Sequence, residues 1–155
     1  NGRFVPHVLL LRTTQTMHRI NKDNVAHNAN VSFLGNLRAG ELLSGSISEK
    51  LHYTEEQALP TSVTCNIHPW MKAFVLVRAN PYMAKTDADG RFTIKNLPVG
   101  PHTFRFWHER TGSLRDIKVG SGITNKFGRV TITIHEGANE LGPIRLSPSL
   151  FARDD

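Results

Sequence analysis

Val63-Thr64-Cys65-Asn66-Ile67-His68-Pro69-Trp70-Met71-Lys72-Ala73-Phe74 is the stretch from which the rest of the chain is best read. The β-branched pair before Cys65 and the apolar run after Lys72 predict strands over 62–65 and 72–78, joined by a tight loop. Such a loop can turn a thiol, an imidazole and a thioether, from Cys65, His68 and Met71, toward one point.

Outward from that hairpin, short β-branched and aromatic stretches alternate with Gly, Pro, Asn and Asp, and no long segment carries a 3.6-residue apolar period. The fold is therefore expected to be all-β. Predicted strands cover 4–12, 16–21, 28–34, 46–53, 62–65 and 72–78, then 82–86, 91–95, 102–108, 114–119, 129–135 and 142–146. Asn80-Pro81 breaks the pattern, placing a division between a domain of residues 1–79 and one of residues 80–155. Asp89-Gly90 reads as a hairpin turn, because Gly readily takes a positive φ. A calcium loop is the weaker reading, because Phe92, Ile94 and Leu97 stand where further oxygen ligands are needed.

Composition removes several function classes. The chain has 155 residues, 19 Lys plus Arg, 13 Asp plus Glu and a formal charge of +6, which attracts an acidic partner surface. The basic residues are scattered and the aromatics form no stacking motif, so nucleic acid is not an expected partner. No apolar run approaches the ~20 residues of a membrane-spanning helix. The sequence begins with Asn1 rather than Met, so any targeting peptide is expected to have been removed or left out. A single cysteine, Cys65, excludes an internal disulfide and zinc motifs built on paired cysteines. It reads as a buried structural thiol, a reactive thiol or a metal ligand. His108-Glu109 and His135-Glu136 each lack the second histidine of a zinc-protease helix.

A second imidazole stands upstream, in Asn21-Lys22-Asp23-Asn24-Val25-Ala26-His27-Asn28. Two His, one Cys and one Met form a set that suits copper, with thiolate and imidazoles in a trigonal plane and a long, weak thioether bond along the axis. Taken singly, each residue has an ordinary role: Cys as a small buried hydrophobe, Met as a space filler, His beside Pro as a turn former. Their joint spacing argues against coincidence.

Residues Cys65-Asn66-Ile67-His68-Pro69-Trp70-Met71, with His27-Asn28 upstream, resemble the cupredoxins, or blue copper proteins, and the loop is most similar to that of the amicyanin group. Phe4-Val5-Pro6 and the strand from Gln15 to Asn21 are similar too, so the resemblance covers roughly half the chain. It implies a Greek-key β-sandwich holding one copper ion, with His27, Cys65 and His68 as equatorial ligands and Met71 as the axial one. It also implies that Asn28 ties the two ligand-bearing segments together, and that His68 is the electron port within an apolar patch. Pro69 and Trp70 would supply that patch, unless Trp70 belongs to the core.

Residues Thr86 to Phe104, with Asp89-Gly90 and Asn96-Leu97-Pro98-Val99-Gly100, resemble the hairpin of carboxypeptidase-regulatory-like, transthyretin-type domains. That implies a second small β-sandwich module with no peptidase activity. Six strands before residue 79 fall short of the seven or eight in small cupredoxins, so a missing N-terminal segment, the second half or a partner chain is expected to complete the sheet.

The resemblance implies a non-enzymatic, mononuclear type 1 copper electron carrier working between larger redox partners in the periplasm or another extracytoplasmic space. Thr64 and Asn66, rather than His, flank Cys65, so the wiring of a multicopper enzyme to a second copper is absent. The alternatives are the electron-entry subunit of a larger copper oxidoreductase, or a binding or assembly module with a structural or copper-delivery site. His7 and His108 are the least ordinary of the other histidines and the candidates for a second metal site.

Overall fold

The computed structural model describes residues 2–33, 36–38 and 41–152. Its regular elements are β-strands, and the single helical element among the described residues is the 3-10 turn Pro148–Phe151. The all-β expectation holds. The chain divides into two compact units, Asn1–Lys95 and Asn96–Asp155.

The first unit is built on a five-stranded sheet ordered Val8–Arg12, Lys72–Arg78, Thr61–Thr64, Asn30–Phe33 and Asn36–Arg38. Lys72–Arg78 runs parallel to Val8–Arg12, and the other neighbours pair antiparallel. Bonded on both sides, Lys72–Arg78 lies inside the sheet, and Ala73, Phe74, Val75 and Val77 are all buried. A strand covered on both faces reads as a continuous apolar run, which is why its prediction at 72–78 needs no adjustment. Val75 and Val77 join Leu11 and Val31 against Leu51 and Tyr53 from the second layer, with Leu9, Met17 and Val63 around them.

That second layer is made of short pairs: Thr16–Met17 with Leu51–His52, His27–Asn28 with Glu41–Leu42, and a lone bridge between Ile20 and Ile47. The predicted strands 16–21 and 46–53 are thus fragments of ladder rather than full strands. Strand 28–34 opens one residue early, at His27, and is interrupted at Ala29; Leu34 lies outside the described residues. Asn36–Arg38 supplies an edge strand that the sequence pattern did not mark.

In the second unit, Gly100–Arg105 pairs antiparallel with Arg129–Ile134 over six residues, from Gly100↔Ile134 to Arg105↔Arg129. Leu114, Ile117, Val119 and Val130 form its core, with Phe106, Ile132, Leu141, Ile144, Leu146 and Leu150 packed on them. Gly128 has φ +69°, and a Cβ there would lie 2.6 Å from the carbonyl oxygen of Phe106, so only glycine fits.

Three predicted strands do not form. Residues 82–86 and 91–95 carry no strand, although the turn between them does: Gly90 takes φ 78°, and Asp87 Oδ1 accepts from the N–H groups of Asp89 and Arg91 at 3.0 and 2.8 Å. That carboxylate is spent inside the turn, as the hairpin reading requires. Residues 142–146 pack the half-buried Ile144 and Leu146 against the second core without joining a ladder. Alternation reports which side chains are buried; a strand also needs a neighbouring backbone in register, and these segments lack one among the described residues.

Candidate metal centre

The antiparallel register between Thr61–Thr64 and Lys72–Arg78 ends at Thr64↔Lys72. Cys65 and Met71 are the next residue on each strand, so sheet geometry alone sets them side by side. Their backbones meet, Cys65 N–H to Met71 O at 3.4 Å, and Met71 N–H closes a turn onto His68 O at 2.9 Å. Pro69 favours that turn by fixing its own φ. His68 therefore sits at the bend of a loop whose base is Cys65 and Met71.

His27 arrives from the second layer, where pairing with Leu42 holds its backbone. Its Nδ1 lies 3.0 Å from His68 Nδ1, and His68 Nδ1 lies 3.8 Å from Cys65 Sγ. The donor atoms of His27, Cys65 and His68 all lie within 4.8 Å of one another. Cys65 is 2% exposed, Met71 3% and His27 6%, whereas His68 is half-buried. Three of the four sequence candidates thus converge through their donor atoms. The fourth, Met71, is buried at the foot of the same loop.

Polar contacts staple the two segments. Asn28 donates its backbone N–H to Cys65 Sγ at 3.5 Å and accepts from Asn66 N–H through Oδ1 at 2.7 Å. Asn30, itself buried, donates to Asn66 Oδ1 at 2.7 Å. The tie expected of Asn28 is present. Asp23 is a residue that the sequence reading quoted without giving a role: its Oδ2 lies 3.0 Å from His27 Nε2. The available signal was the i, i+4 spacing of a carboxylate and an imidazole.

On the outer side, the Trp70 ring meets the His68 ring edge-on at 5.1 Å between centroids and is 71% exposed, beside Ile67 at 47%. Trp70 is a surface residue and not core. The other two metal candidates are not members of this donor group. His7 packs its ring edge-on against Phe74, and His108 packs against Phe151 while its Nδ1 accepts from Arg110 N–H at 3.2 Å. Among the described residues, the group of three or more His, Cys, Asp or Glu donors able to share an ion is His27, Cys65 and His68.

The donors fit a small soft-to-borderline ion. With first-row bond lengths of about 2.0–2.1 Å to imidazole nitrogen and about 2.3 Å to thiolate sulfur, a trigonal plane separates its donors by roughly 3.5–3.8 Å. The observed 3.8 Å between His68 and Cys65 matches that spacing, whereas the two imidazole nitrogens, in hydrogen-bond contact at 3.0 Å, would move apart to admit an ion.

Fold and site together define an all-β protein with a His-Cys-His donor group, two of its members buried, at a loop that ends in a buried methionine. Solved structures similar to it include a Cu-containing nitrite reductase, amicyanin and a purple cupredoxin. A Cu-containing nitrite reductase from Thermus scotoductus SA-01 aligns with TM-score 0.43 and 23% identity over 48% of this chain and 20% of its own. An oxidised mutant of amicyanin aligns with TM-score 0.43 and 19% identity over 50% of this chain and 74% of its own. A purple cupredoxin from Nitrosopumilus maritimus gives TM-score 0.39 and 25% identity over 46% and 78%. The chain thus spans about a fifth of the length of the nitrite reductase. No protein-family model matches the sequence, and no curated protein matches it.

Proposed function

We propose that the chain is a mononuclear type 1 copper electron carrier, cycling one ion between Cu(I) and Cu(II). The observation that carries this reading is the convergence of one thiol and two imidazole Nδ1 atoms within 4.8 Å. His27, Cys65 and His68 would hold the ion, with the buried Met71 as a weaker fourth ligand. Bound copper supplies a one-electron couple; the rest is the work of the chain. The Asn28–Asn66 and Asn30–Asn66 bonds hold the ligand segments in place, so little reorganisation accompanies electron exchange. The N–H of Asn28 points at the sulfur and stabilises negative charge there.

His68 is the exit for the electron, being the least buried of the three, with exposed Trp70 and Ile67 beside it as a small docking surface for a redox partner. Thr64 and Asn66 beside Cys65 provide no imidazole bridge to a second copper, which favours a carrier over an enzyme. This chemistry belongs to the periplasm or another extracytoplasmic space; among the described residues no helix is long and apolar enough to cross a membrane. Cell fractionation that recovers the chain in the cytoplasm would overturn this location.

Titrating the purified chain with Cu(II) tests the function. An intense visible charge-transfer band at one ion per chain, bleached by ascorbate and restored by an oxidant, is the expected result. Protein that stays colourless at saturating Cu(II) would sink the carrier reading and favour a structural or copper-delivery module.

A further inference from the structure

We infer that Asp23 is a positioning residue for the copper site, selecting the His27 nitrogen that faces the metal and supplying negative charge behind it. The inference rests on the copper reading above for its redox consequence, but its structural half stands on contacts alone.

A carboxylate accepts hydrogen bonds and cannot donate them, so the 3.0 Å contact between Asp23 Oδ2 and His27 Nε2 places the proton on Nε2. A neutral imidazole protonated there has its lone pair on Nδ1. That is the atom 3.0 Å from His68 Nδ1, inside the donor group. The pair is largely sheltered, His27 at 7% and Asp23 at 25% side-chain exposure, so water competes weakly for Nε2–H.

Asp23 is itself held in place. Its N–H donates to Asn21 Oδ1 at 3.0 Å, Ser44 Oγ donates to its carbonyl at 2.8 Å, and Gly2 N–H donates to Oδ2 at 3.0 Å. Asn21, 5% exposed, spans the loop with its amide, donating to the carbonyls of Val25, Leu42 and Leu43 at 2.8, 2.9 and 3.1 Å. Leu42 is the residue paired with His27. One buried amide thus locks the carboxylate loop to the strand that carries the ligand's partner, and the carboxylate does not have to be ordered when metal arrives. The carboxylate charge facing the protonated far nitrogen makes Nδ1 a stronger donor, and it favours Cu(II) over Cu(I).

Asp23→Asn keeps the shape of the side chain and removes its charge, and Asp23→Glu keeps the charge. In the metal-free protein, long-range 1H–15N spectra should show His27 protonated at Nε2. Asp23→Asn should leave amide dispersion unchanged, weaken Cu(II) binding about 10–100-fold in competition assays, and weaken Cu(I) binding less. A tenfold difference between the two losses raises the midpoint potential by about 59 mV for one electron. Asp23→Glu should recover part of both. An Nδ1-protonated His27 in the metal-free protein would overturn the inference, as would wild-type potential and affinity in Asp23→Asn. Wild-type protein that binds no copper would sink the carrier reading instead, and the His27 tautomer would still decide the role of Asp23.

Discussion

Cys65 and Met71 occupy equivalent places at the ends of two paired strands, yet they serve the proposed site differently. Under the proposed function the thiolate would be the source of the visible charge-transfer band, so Cys65→Ser should abolish the colour even if some copper still binds; undiminished absorbance would refute the ligand assignment. A thioether on the axis binds weakly. Met71→Leu, a swap of similar volume at a site 3% exposed, should keep most of the copper, shift the potential and spectrum, and cost less than about 1.5 kcal/mol of stability. A potential and spectrum identical to wild type would remove Met71 from the site. At this scale the sequence was most legible. Spacing marks Cys65, His68 and Met71 as candidate donors, and its neighbours mark His27, whereas the contact of Asp23 and the exposure of Trp70 became evident only with coordinates. A carboxylate four residues before a histidine is common on surfaces, and an aromatic beside a ligand loop can face either way.

Among the elements, Lys72–Arg78 matters most, because its first residue follows Met71 and its interior forms the first unit's core. Leu11, 5% exposed on the parallel neighbour of that strand, fills the same cluster. Leu11→Ala should destabilise the first unit by about 2–5 kcal/mol in chemical denaturation; a loss below 1 kcal/mol, on the order of a surface change, would contradict the core described. In the second unit, Gly128→Ala should cost more than about 1 kcal/mol, since the left-handed backbone and the nearby Phe106 carbonyl both exclude a side chain. Strand 72–78 was read correctly because burial on both faces leaves an unbroken apolar run. The short ladders of the second layer, and the failed strands at 82–86, 91–95 and 142–146, were not separable by pattern. Local alternation is the same whether or not a partner backbone arrives.

For the whole molecule, the +6 formal charge is a property that any partner senses before contact. Under the proposed function, oxidation of the reduced protein by the ferricyanide anion should slow as ionic strength rises, and oxidation by a cationic cobalt complex should quicken. Rates insensitive to salt with both reagents would show that this charge does not steer encounters at the site. Residue types and their order determined the all-β class, the net charge and the candidate donors, because these depend on composition and on periodicities of a few residues. Tertiary structure decided that His27 reaches Cys65 and His68 from another layer, that Asp23 stands behind it, and that Trp70 faces solvent. The reason is physical: convergence of donors across a sheet depends on which backbones pair and in what register, and such non-local contacts leave no periodic trace in the chain that makes them.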